Sequence, residues 1–163
     1  MPSNWVDRDD RVAGNCAAGP VNDDEPVVRL LDTETFKDGK IQDAAFQREH
    51  LFPPKGRPPE NTPGSRGGES LIRSAALAHK ALMARAAARP RPPRTSEGYA
   101  VATVADIRKI TSNDNASARL FRIYEDPDPT NDLPEHAVIR FDPAFKTQWT
   151  LARHSLIALF HRA

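Results

Sequence analysis

The sequence predicts an α+β fold: a small, mostly antiparallel sheet packed by two main helices, with a disordered N-terminal tail. Three observations carry this. Short runs rich in β-branched and aromatic residues recur at residues 27–31, 98–104, 120–124 and 136–141. Two longer segments place apolar residues at steps of three and four, the spacing of one helix face. These runs do not alternate regularly with the helical segments, as a doubly wound parallel sheet would require.

In chain order, residues 1–25 are rich in Asp, Asn, Gly and Ala and show no apolar period. They read as a disordered polar tail in which only Trp5 and Val6 are suited to docking. Order is expected from Pro26. Val27, Val28, Leu30 and Leu31 make a strand with Arg29 inside it. Asp38 and Gly39 signal a turn, and Ile41, Ala44, Ala45 and Phe46 follow as a helical turn or a buried corner. Residues 53–68 hold five prolines and four glycines and read as a loop. Residues 70–89 read as the clearest helix, with Leu71, Ala75, Ala78, Leu82 and Ala86 on one stripe. Its second half is all Ala, Leu, Met and Arg, which favour helix, and Pro90, Pro92 and Pro93 end it. After the strand at 98–104 come a short helix at 105–110, a polar loop at 112–117 and two further strands. Asp142 as N-cap and Pro143 at the first helical position open a terminal helix. Its stripe is Phe145, Trp149, Ala152, Leu156 and Phe160. Residues 26–163 thus read as a single α+β domain.

With 163 residues, 39% of them hydrophobic, the chain can bury one modest core. No run approaches the roughly 18 apolar residues of a membrane span, so no membrane partner is expected. The start shows no basic region followed by an apolar run. The one cysteine, Cys16, cannot close an internal disulfide and has no histidine beside it. Both features point to a reducing, cytoplasmic setting and an inert thiol. The net charge of +1 hides an asymmetry: residues 1–44 hold 5 basic and 10 acidic residues, and residues 45–110 hold 12 and 5. Such a chain can orient a partner or fold its acidic start over its basic middle.

The densest polar segment runs from Asp126 to His136. As a site, His136 is its general acid/base, with Asp126 or Asp128 orienting the ring. As structure, it is a proline-rich turn with side-chain bonds to the backbone. A calcium loop would need the glycine that is missing here, and no histidine stands near cysteine at zinc spacing, so no metal or other cofactor is expected. Arg29, inside an apolar run, must be paired, solvent-facing or ligand-binding. It either binds an anion in a cleft or lies on an exposed sheet face beside Glu125 or Asp126. The stretch 73–94 carries Arg73, His79, Lys80, Arg85, Arg89, Arg91 and Arg94 without an acid. It is a solvated basic face or a phosphate contact, with Arg73, Lys80 and Arg85 as binding candidates. Glu69 and the missing lysine argue against a phosphate loop at 64–70.

Three pieces together resemble a group of short bacterial proteins: Val27-Val28-Arg29-Leu30; Asp38-Gly39-Lys40-Ile41 leading to Ala45-Phe46; and Asp126-Pro127, Asn131, Pro134 and His136-Ala137-Val138-Ile139 before a helix. That group has no established activity, so the resemblance implies no catalytic role. The early strand arginine and the phenylalanine-bearing turn are also similar to ADP-ribosyltransferase-like folds. Their later glutamate and serine or tyrosine motifs have no counterpart here, so that likeness stays at the level of fold.

The resulting expectation is a non-enzymatic binding or regulatory protein, an accessory component of a bacterial multi-gene system with a protein partner. The alternative is a small enzyme acting on a nucleotide or nucleic acid, with Arg29 holding phosphate and His136 moving protons. Convergence of Arg29, His136 and a carboxylate in one cleft separates the two. Oligomeric state stays open.

Overall fold

The β-branched run at Pro26–Asp32 forms strand β1, and its alternation divides it between two faces: Val27 and Leu31 on one, Val28 on the other. The computed structural model describes residues 10–11, 19–52, 69–73, 77–126 and 135–163. The further elements are β2 (Phe36–Lys37), β3 (Lys40–Ile41), α1 (Arg48–Leu51), β4 (Glu69–Arg73), α2 (His79–Ala88) and β5 (Ser96–Thr103). Then come α3 (Val104–Arg108), β6 (Phe121–Glu125), β7 (His136–Phe141), α4 (Trp149–Leu159) and β8 (His161–Arg162). The described strands build a six-stranded antiparallel sheet in the order β6-β7-β4-β1-β5-β8. Short strands β2 and β3 form a hairpin whose loop residues, Asp38 and Gly39, both take positive φ (51° and 75°). That is what a two-residue hairpin turn requires, so the Asp-Gly signal was sound.

The expected α+β class is found. One sheet face carries the main core: Val27, Leu31, Leu71, Ala100, Ala102, Phe121, Ile123, Ile139 and Phe141. It packs against Trp149, Ala152 and Leu156 of α4, Val104 and Ile107 of α3, and Leu51 of α1. The other face carries Val28, Ile72 and Tyr99 under Leu82 of α2. Of the terminal stripe, Trp149, Ala152 and Leu156 lie buried on α4 and Phe160 is buried just past its end, while Phe145 precedes the α-helix and is half-buried. Asp142 does cap, accepting the Ala144 N–H at 3.0 Å. The chain first runs as a 3-10 turn, Pro143–Gln148, and becomes α-helical only at Trp149.

Two expectations are corrected. Residues 70–89 are not one helix: Glu69–Arg73 is an inner strand of the sheet and α2 begins at His79. Over so short a span the adjacent Leu71 and Ile72 fit a helical segment and a strand buried on both faces equally well, and pairing with strands on both sides decides for the strand. Order also does not begin at Pro26. Val21 is 1% exposed, and Asp10 is 0% exposed. The Asp23 and Glu25 carbonyls accept the first N–H groups of α3, supplying the acceptors that its N-cap side chain does not. The acidic start does fold over the basic middle. Asp10 accepts Arg108 at 3.1 Å, Arg119 at 2.7 Å and the edge-strand N–H of Ile123 at 2.8 Å. The rest of the expected tail, with Trp5, Val6 and Cys16, and the proline-glycine loop 53–68 lie outside the described residues. Among the described residues no helix is long and apolar enough to cross a membrane.

Candidate functional site

A gap in the middle of the sheet makes the site. β1 stays paired with β5 from Pro26 to Asp32, and β4 with β7 from Glu69 to Ile72. β1 and β4, however, are in register only at Val27↔Arg73 and Val28↔Ile72. Beyond Val28 the seam opens into a cleft of about 510 Å³, closed on one side by α1 and on the other by the segment after α2. Volumes of this order are usual for small-molecule sites.

Arg29 fills the root of that gap. It is 5% exposed; its Nε donates to the Ala45 carbonyl at 2.9 Å and its Nη1 reaches the Ser70 carbonyl at 3.5 Å. Its Nη2 lies 2.9 Å from Glu69 Oε1. Burial brings the Arg29 guanidinium down to about 10, with Glu69 opposing the shift and the like charge of Arg89 adding to it. Arg29 is therefore neither on an exposed face nor beside Glu125 or Asp126. Its partner is Glu69, because the register places both on the core-facing side of the sheet. Glu69 also takes a bond from Nδ1 of His50 at 3.0 Å. The imidazole is half exposed and lines the cleft. At the mouth, Arg94 pairs with Asp32 at 3.8 Å and with Glu34. Burial works against the Asp32 carboxylate, but the N–H groups of Glu34 and Thr35, the Thr35 hydroxyl and Arg94 hold it below the usual range. Arg89 and Arg91 are exposed, line the cleft and pair with no described carboxylate.

The remaining candidates separate. Arg73 is a structural clamp: Nε and Nη2 hold Glu25 at 2.8 Å each, and Nη1 and Nη2 also take the carbonyls of Gly19 and Pro20. Arg85 is paired with Glu135, and Lys80 stands exposed in the first turn of α2. The 73–94 stretch is thus not one phosphate-contacting face; Lys80, Arg89 and Arg91 are its uncommitted cations. His136 and Asp126 do meet. The imidazole Nδ1 lies 2.7 Å from the Asp126 carbonyl and 3.3 Å from its Oδ2, and Nε2 lies 3.2 Å from the Ser70 hydroxyl. Asp128 lies outside the described residues. His136 pairs across from Ile72, on the face opposite Arg29, so the convergence that would favour the enzyme reading does not form there. A histidine and a carboxylate do converge on Arg29, but they are His50 and Glu69.

Sequence reasoning passed over both. In the sequence Glu69 reads only as a residue that repels phosphate, and His50 only as one of the histidines without a cysteine at zinc spacing. The signal available was an unmatched strand arginine and a lone acid at the edge of the proline-glycine loop. It becomes readable once residues 69–73 are taken as a strand. Among the described residues no group of three or more His, Cys, Asp or Glu could hold a metal ion. No protein-family model matches the chain, and no curated protein or solved structure matches it significantly.

Proposed function

We propose that the protein is a binding module, an accessory component acting through a ligand or partner group that it holds, and that this group is an anion seated in the β1–β4 cleft. One observation carries the reading: Arg89 and Arg91 stand at the mouth without a carboxylate, above a floor where Arg29, Glu69 and His50 are already bonded to one another. A buried pair that satisfies itself makes a fixed floor, and free guanidinium groups above it supply planar, bidentate donors suited to phosphate or carboxylate. The test is thermal unfolding in rising inorganic pyrophosphate against chloride at equal ionic strength. Binding to the native state raises the midpoint. The rise is expected in the native sequence and lost in the double variant Arg89→Gln, Arg91→Gln. An equal rise in both would remove the cleft as its cause.

A second, enzymatic reading is favoured by the Ser70–His136–Asp126 contacts, which follow the order nucleophile, base, orienting group. A fluorophosphonate probe decides it: labelling at Ser70 that disappears in His136→Asn supports a reactive serine, and absence of labelling leaves the three residues as a structural hydrogen-bonded chain.

A further inference from the structure

His50 has one nitrogen committed and one free. Its Nδ1 is bonded to Glu69, and among the described residues its Nε2 makes no hydrogen bond, in a ring that lines the cleft and is 51% exposed. Glu69 is in turn held by buried Arg29, so the ring's orientation is fixed from behind. The bond at Nδ1 settles the tautomer: a neutral ring donates to Glu69 and turns a lone pair at Nε2 to the cleft. A protonated ring turns an N–H donor there instead. The charged groups around it are Glu69 from β4, Arg29 and Asp32 from β1, Glu34 from the following turn, and Arg89, Arg91 and Arg94 from the segment after α2, with Arg48 and Glu49 on its own helix. Arg29 is matched by Glu69, and Arg94 by Asp32 and Glu34. Among the described residues, what remains for a ligand is Arg89, Arg91 and the free edge of His50.

Resting on the anion reading above, we infer that the cleft takes a small-molecule phosphate monoester, and that His50 takes up a proton as it binds. A monoester dianion presents two negative charges and three terminal oxygens to these three groups, whereas a diester presents one charge and two. The lone pair of the neutral ring opposes either anion, so binding selects the protonated ring, most strongly for the dianion. Leu30, Leu31, Ala44, Ala86 and Pro90 give the cleft apolar wall for an organic group beyond the phosphate. Nucleic acid offers diesters along its backbone, so monoester preference also separates this ligand from a polynucleotide.

Isothermal titration of the full chain tests this with methyl phosphate, dimethyl phosphate and sulfate, each in two buffers of different ionisation enthalpy. Methyl phosphate is expected to bind about tenfold tighter than dimethyl phosphate, the worth of one charge-assisted hydrogen bond. Sulfate, which does not itself titrate near neutrality, is expected to draw a proton from the buffer. His50→Asn keeps a donor for Glu69 but removes Nε2. It should weaken methyl phosphate about tenfold and abolish the proton uptake seen with sulfate. Arg89→Gln should weaken binding and leave the uptake in place, which separates loss of charge from loss of the imidazole. Equal affinity for monoester and diester, or unchanged uptake in His50→Asn, overturns the inference while leaving an anion site standing. Failure of the native chain to bind any of the three overturns the anion site itself. Adenosine monophosphate and glucose phosphate then distinguish a nucleoside from a sugar ester. Tighter binding of either than of methyl phosphate supports the apolar walls as ligand-contacting; no gain from either overturns that assignment.

Discussion

At the end of the β1–β4 seam where Val27 and Val28 face Arg73 and Ile72, the strands are paired and all three guanidinium nitrogens of Arg73 are bonded within the chain, to Glu25, Gly19 and Pro20. At the other end the strands part. Arg29 bridges the gap to Glu69 and Ser70, and Arg89 and Arg91 stand beside it uncommitted. The same residue type thus closes one end and leaves the other receptive. At the closed end the acidic N-terminal segment brings the carboxylates. At the open end the described carboxylates that line the cleft, Asp32, Glu34 and Glu69, are fewer than the arginines lining it. A guanidinium serves the fold where the chain itself delivers an acid, and is free for a ligand where it does not.

The sharpest way to break this comparison is at Asp10, which joins the N-terminal segment to α3 and β6. Asp10→Ala leaves buried Arg108 short of a partner and the Ile123 N–H without its acceptor. Breaking a buried pair from one side costs about 3–5 kcal/mol. Urea denaturation should show that loss, and an unchanged midpoint would mean that the clamp carries no stability. Glu69→Gln is the matching change at the open end. It removes the charge facing Arg29 but keeps an acceptor, and a loss of about 1.5–3 kcal/mol is expected in the same experiment.

The closed end should be acid-sensitive, as Asp32 makes the open end. Burial works against the Glu25 charge, but the Arg73 guanidinium and the Asn22 N–H hold its carboxyl below the usual 4.5. The Arg108 hydrogen bond similarly holds Asp23 below 3.8, against a smaller opposing effect of burial. Because the folded values are depressed, the stabilisation is complete above the usual values and is lost as pH falls through the folded ones. Unfolding free energy should therefore rise with pH across that acid window, and Glu25→Gln should flatten the slope. A slope identical in the variant would reassign it to other carboxylates. The smallest effect is expected at Lys80, exposed on α2 and not among the residues lining the cleft: Lys80→Ala should leave stability within about 0.5 kcal/mol and anion binding unchanged. A marked loss of binding would extend the receptive surface along the helix.

The sequence by itself determined the strands at Pro26–Asp32, Phe121–Glu125 and His136–Phe141, the Asp38-Gly39 hairpin turn, the Asp142 cap and the buried stripe through Trp149 and Leu156. Each of these is written in neighbouring residues, as a period, a φ requirement or a side-chain oxygen near an N–H group. The site was only half readable. Arg29 was visible as a cation in an apolar run, and His136 with Asp126 as close neighbours of a turn. That Arg29 belongs with Glu69 and His50, that His136 belongs with Ser70 on the other face, and that Arg73 serves Glu25 were decided by the tertiary structure alone. These partners come together only when strand order and register bring distant segments side by side; Arg108 and Asp10 stand 98 residues apart. Within Glu69–Arg73 the local pattern allowed helix and strand alike, and the neighbouring strands, by pairing with its backbone on both sides, settled which one forms.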